Sequence, residues 1–110
     1  MVKKLTADDW KIISDIVSAS RNLEEALNNK GFEVINSFTT GVYPACITFI
    51  VKRKFTEIMS VSIFDIVAEQ KRVELEIFAK AEEILSADYD AIEIKMLKER
   101  LAELEEHKGC

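Results

Sequence analysis

The chain has 110 residues, 48% hydrophobic and 32% charged, with a formal net charge of −5. That balance describes one globular domain rather than a disordered chain. The charge is uneven: residues 1–55 hold eight Lys/Arg against six Asp/Glu, and residues 56–110 seven against fourteen, so the second half carries −7. Phosphate contacts need net positive charge, which weighs against direct nucleic-acid binding through this acidic half.

The first element begins at Thr6, an N-cap followed by Asp8 and Asp9 in the first turn, where the helix dipole favours anions. Leu5 and Trp10 stand where a hydrophobic staple would join them. Ile13, Ile16, Val17, Leu23 and Leu27 follow as one apolar stripe, and Asn28-Asn29-Lys30-Gly31 closes it, with Gly31 placed for a left-handed C-cap. The spacing predicts a helix over 7–29. Residues 18–22 are weak helix formers and are expected to kink it.

The period then changes from 3.6 to 2. Phe32, Val34, Asn36 and Phe38 alternate with Glu33, Ile35 and Ser37, which predicts a strand. Thr39-Thr40-Gly41 reads as a turn, and residues 42–52 as a second strand, apolar on both faces and so expected to be covered on both. Pro44 fits only near that strand's start or on an edge. Residues 55–61 are a candidate third strand.

From Phe55 to Leu85 apolar residues recur at steps of three and four, including Phe55, Ile58, Met59, Ile63, Ile66, Val67, Val73, Ile77, Ala81 and Ile84. The pattern predicts a long amphipathic helix. Ser62 and Asp65 have the spacing of a capping box, which sets the expected helix at 62–85. Ser86-Ala87-Asp88 offers a break and a new cap, and residues 89–107 read as a last helix. On it Ile94, Leu97, Leu101 and Leu104 form an a/d seam about two heptads long, widened by Ile92 and Met96. The expected class is α+β: a helix, a small antiparallel hairpin of two or three strands, then two long C-terminal helices, paired as a hairpin or extended into another subunit. The alternative is an all-α chain with 44–85 mostly helical. All 110 residues form a single domain, with 62–110 as its acidic helical half and a candidate oligomerisation element.

The chemistry-bearing residues are few. His107 is the sole histidine; near a helix C-terminus it complements the dipole, and with Cys110 it makes at most two metal ligands on a chain end. No Ser–His–Asp set, no phosphate-binding glycine loop and no Glu-x-x-His pair is present, although Glu74, Glu76, Glu82, Glu83, Asp88, Asp90 and Glu93 are abundant. No catalytic, cofactor-binding or metal-binding residue is assigned, and no motif is specific enough to name a family. Cys46, within the second strand, reads as a structural thiol and Cys110 as an exposed one. Two cysteines make no disulfide framework, no apolar run approaches the roughly 18–20 residues that span a bilayer, and residues 1–6 lack the apolar core of a secretory signal. A cytoplasmic location is expected.

Lys52-Arg53-Lys54 is the one basic cluster, either an anion contact or a charged stop to an aggregation-prone strand. Glu103, Glu105 and Glu106 crowd the last helix's C-terminal end, against its dipole. One way to relieve them is the basic cluster of a second copy. The leading functional expectation is a non-enzymatic protein–protein interaction module, an adaptor, assembly or regulatory protein that self-associates, most simply as a dimer, through Ile94, Leu97, Leu101 and Leu104 with the flanking glutamates. The alternative is an acidic inhibitor, of the kind phages and mobile elements encode, that blocks a nucleic-acid-binding host enzyme by surface mimicry. A third class is an enzyme or ligand binder using Tyr43, Cys46 or Tyr89 in a pocket.

Overall fold

A computed structural model describes residues 4–40 and 43–108, with the side chains of residues 107 and 108 excepted. The expectations placed on Gly41, Val42, Cys110, residues 1–3 and the His107 imidazole lie outside the described residues. The fold is α+β. In chain order it runs α1 (Ala7–Asn29), β1 (Glu33–Thr39), β2 (Cys46–Arg53), β3 (Thr56–Ile63), α2 (residues 70–86) and α3 (Tyr89–Lys108).

Helix α1 starts and stops as its residues dictate. The Asp9 N–H donates to the Thr6 hydroxyl at 3.2 Å and the Thr6 N–H to the Asp9 carboxylate at 3.0 Å, a reciprocal capping box. At the other end Gly31 takes φ = 94°, the left-handed conformation only glycine adopts without cost. The Phe32 N–H then reaches the Leu27 carbonyl and the Gly31 N–H the Asn28 carbonyl, each at 3.0 Å, which is a Schellman motif with Leu27 and Phe32 both buried beneath it. The helix is continuous through residues 18–22, so the expected kink is absent. Ser20 faces the core fully buried, and packing against the rest of the protein overrides its weak propensity.

The three strands form an antiparallel meander in the order β1-β2-β3. Glu33 pairs with Lys52 and Thr39 with Cys46 across the first ladder; Ile47 pairs with Ile63 and Arg53 with Thr56 across the second, with a register shift after Val51. Only one face is covered. Ile47, Phe49, Val51, Met59, Val61 and Ile63 point inward and are buried, while Ile35, Ser37, Ser60 and Ser62 point out and are exposed. The two-sided burial expected of β2 is therefore corrected: its outward residues are half-buried at the centre of an open face.

The helix expected over 62–85 begins later, at residue 70. Ser62 lies inside β3, its hydroxyl 3.3 Å from that of Thr48 on β2. Met59, Val61 and Ile63 alternate with Ser60 and Ser62, and this period of two outweighs the coincident steps of four. The all-α alternative fails with it. Asp65 closes the turn over residues 66–69 that precedes the helix: its carboxylate accepts from the Ala68 N–H at 3.1 Å and from the Tyr43 hydroxyl at 3.0 Å, and the helix itself starts without a side-chain cap. Ile66 follows, buried, its N–H bonded to the Ala45 carbonyl at 2.8 Å.

Helix α2 is α-helical over Gln70–Val73, widens to a π-turn over Glu74–Phe78 and returns to α over Ala79–Ser86. The extra residue keeps Val73, Ile77, Ala81 and Ile84 on the face that meets the sheet and α1, all of them buried. One core therefore lies between the sheet on one side and α1 and α2 on the other.

Within that core the Ser20 hydroxyl is buried without a hydrogen-bond partner among the described residues. An unpaired buried hydroxyl costs about 1 kcal/mol or more, and serine is also the weaker helix former. Ser20→Ala should raise stability by roughly 1 kcal/mol in urea unfolding; a loss of stability would mean the hydroxyl is satisfied.

Candidate functional site

Two short segments decide where α3 points. Ser86 ends α2, Ala87 is extended (φ −80°, ψ 146°), and Asp88 starts the next helix, its carboxylate accepting from the Ala91 N–H at 3.1 Å. The Lys30 ammonium donates to the carbonyls of Leu85 and Ala87, the second at 2.8 Å, so a cation from the end of α1 holds the end of α2. The break expected at residues 86–88 is there. The helical hairpin is not: α3 runs away from α2 and gives the molecule a long axis of 69 Å against 26 and 19 Å for the other two.

The base of α3 is fastened to the β2–β3 turn. Lys54 and Phe55 form a two-residue turn, with Lys54 at φ = 55° and Phe55 fully exposed. The Arg53 guanidinium lies over the Phe32 ring, 5.2 Å from its centre, and pairs with Asp90 and, at 3.2 Å, with Glu93. The Lys54 ammonium reaches the other oxygen of Glu93 at 2.8 Å. Tyr89 meets Phe32 edge to face with ring centres 5.3 Å apart. The hydrogen bond from Lys54, and then the charges of Lys54 and Arg53, hold the Glu93 carboxyl below the usual glutamate range.

This clasp uses two of the three cations singled out in the sequence. Arg53 and Lys54 are neutralised within their own chain by Asp90 and Glu93, a pairing across 37 and more residues that no local pattern signals. The one trace of it is that Asp90 and Glu93 sit three apart at the start of a helix and so share a face. Beside the clasp a groove of about 280 Å³ is lined by Thr56, Ile58, Tyr89, Ile92, Met96 and Leu97.

Beyond the groove the helix leaves the body behind. Every residue from 94 to 106 is exposed, and Ile94, Leu97, Leu101 and Leu104 keep 52%, 58%, 57% and 54% of their surface in water. The spacing of three, four and three puts them on one side of α3, as expected from the sequence. Glu103, Glu105 and Glu106 share the outer turns with them and are exposed too. Apart from Leu97 at the edge of the groove, the a/d seam is therefore not used for packing within the chain.

The other candidate polar groups are held apart. Tyr43 bonds to Asp65, and the Cys46 thiol to the Phe64 carbonyl at 2.7 Å, at one end of β2; Tyr89 lies at the other. A wider polar cleft of about 650 Å³ between α1 and β1 is lined by residues including Arg21, Glu24, Asn28, Asn29 and Asn36. There the Asn36 amide donates to Glu24 at 3.4 Å, while its carbonyl oxygen is buried without a partner among the described residues. No group of three metal-ligating side chains occurs among the described residues, and no described helix is long and apolar enough to cross a membrane.

Because the Glu93 carboxyl is held low, the clasp contributes stability that is complete above the ordinary glutamate range and lost as pH falls through the lowered value. Carbon-detected titration of the Glu93 side chain should show it ionised through mild acid, and the packing of Tyr89 on Phe32 should persist until pH falls below the ordinary glutamate range. Lys54→Met should move both transitions to higher pH; an unchanged titration would remove Lys54 from the clasp.

Comparison with family models, with curated proteins and with solved structures finds no match to this chain.

Proposed function

We propose that this chain is a non-enzymatic protein–protein interaction module, a small adaptor, assembly or regulatory protein of the cytoplasm, whose working surface is the outer part of α3 and which self-associates through it. The observation that carries the reading is the seam of Ile94, Leu97, Leu101 and Leu104, more than half exposed on a helix that leaves the body. A contiguous apolar stripe rimmed by charge is the usual mark of a surface made to be covered. Its period is that of helix-to-helix packing.

Magnitudes bear on how tight that covering is. Burying the exposed half of each side chain gains roughly 1 kcal/mol, so two copies gain roughly 8 kcal/mol, against an association cost of roughly 4 kcal/mol or more. The balance favours a weak, concentration-dependent dimer over a permanent one. The acidic-inhibitor reading is less well supported, because Asp90 and Glu93 are neutralised by Arg53 and Lys54, and Glu69 and Glu76 share Arg72. A phosphate mimic needs its carboxylates bare.

Light scattering on the full chain across a concentration series should show a mass that rises from monomer toward dimer. Leu97→Glu with Leu101→Glu should hold the mass at monomer at every concentration, with unchanged circular dichroism of the folded body. A parent chain that stays monomeric throughout would overturn the proposal.

A further inference from the structure

We infer that the second copy on α3 lies parallel and in register, so that the two bodies emerge at the same end of a short two-stranded coiled coil. The inference rests on the self-association reading and adds its orientation. Taking Ile94 and Leu101 as a positions and Leu97 and Leu104 as d positions, Glu93 and Arg100 fall at g, and Lys98 and Glu105 at e.

In a parallel pair each g residue faces the e residue of the next heptad on the other helix. That sets Glu93 beside Lys98 of the second copy and Arg100 beside Glu105 of the second copy, each twice by symmetry, and all four pairings join opposite charges. Arg100 and Glu105 make no ion pair among the described residues of their own chain, so both are at hand. Glu93 already holds Arg53 and Lys54, which makes Arg100 with Glu105 the stronger determinant. Isoleucine at a with leucine at d in the first heptad also suits two strands.

The antiparallel arrangement fails on the same residues. It keeps all four apolar layers only with Ile94 opposite Leu104 and Leu97 opposite Leu101. The flanking positions then meet their own kind, Arg100 against Arg100 and Lys98 against Lys98, and like charges repel. It would carry Glu105 toward Arg53 and Lys54 of the second copy, but those cations are spent on Asp90 and Glu93.

The body does not obstruct the parallel pair. It rests on α3 through Tyr89, Ile92 and Met96, with Glu93 and Leu97 at the edge of the same groove, and at 3.6 residues per turn the middle of the seam lies about a quarter of a turn from that line. The two bodies stand outward from the paired helices, and any surface they carry is presented twice on one side.

Site-directed cross-linking in the full chain, with Cys46→Ala and Cys110→Ser, separates the two orientations. Size-tagged Ile94→Cys and Leu104→Cys chains are mixed and oxidised with oxidised glutathione. The parallel pair gives 94-to-94 and 104-to-104 disulfides and excludes 94-to-104, whose sulfurs it holds about 15 Å apart along the axis. Dominant 94-to-104 products from a dimeric protein would overturn the orientation and leave self-association standing. Monomeric mass with no cross-linking would overturn both. Independently, Glu105→Arg should weaken dimerisation about tenfold and Arg100→Glu in that background should restore it; no weakening, or no restoration, would overturn the parallel register.

Discussion

The position of α3 depends on one arginine. Arg53 ends β2, where its guanidinium covers the Phe32 ring on one side and holds Asp90 and Glu93 on the other. Phe32 is itself placed by the Schellman turn that ends α1, and Tyr89 packs on its edge. The end of α1, the end of β2 and the start of α3 therefore meet at one aromatic ring. Arg53 keeps only 18% of its side chain exposed and Glu93 29%, so that pair lies partly out of water, where charge-assisted hydrogen bonds hold more firmly than at an open surface, while Asp90 stays largely in water. A lysine there would supply the charge but neither the planar fork nor the stacking face.

From that clasp the division of the molecule follows. The helices and strands before residue 87 build a two-layer core, in which α1 and α2 spend their apolar faces on one side of a small sheet. Helix α2 has nothing left for α3: Val73, Ile77, Ala81 and Ile84 are consumed by the core, and its outer residue Leu75 stands alone in water. The Lys30 ammonium on the Leu85 and Ala87 carbonyls, together with extended Ala87, turns the chain away from α2. In this arrangement α3 does not fold back over α2, and the seam stays largely uncovered within the chain.

Much of this was legible in the residues. The helix over 7–29, its glycine stop, the first hairpin and the last helix all follow from caps, turn residues and changes of period. The third strand was harder, because Met59, Ile63 and Ile66 satisfy helical steps of four and three while Met59, Val61 and Ile63 satisfy a strand's step of two. Ser62 added a false cap, since its spacing to Asp65 matched a box while its hydroxyl was committed to Thr48 across the ladder. The hairpin that settles the matter turns on Lys54 and Phe55, without the glycine or asparagine that usually marks such a turn. The seam was legible because spacing alone places its residues on one face. The clasp was not, because it joins residues far apart in sequence that only the completed sheet brings together.

The clasp and the seam also act on one another. Glu93 closes the clasp with Lys54 and Arg53, and it stands at the heptad's first flanking position, one residue before Ile94. A second helix lying on the seam would cover that edge and withdraw the ion pairs from water. Partial burial of an already paired carboxylate strengthens its attraction to Lys54 while adding a desolvation cost, so the pair must stay intact for the helix to be covered there. Protonating Glu93 would do the reverse, leaving Lys54 without its carboxylate and Arg53 with Asp90 alone, and so loosening the base of the helix. In the proposed dimer one carboxylate would thus couple assembly to the fastening of α3. Acid would weaken both together, even though none of the four seam residues can titrate.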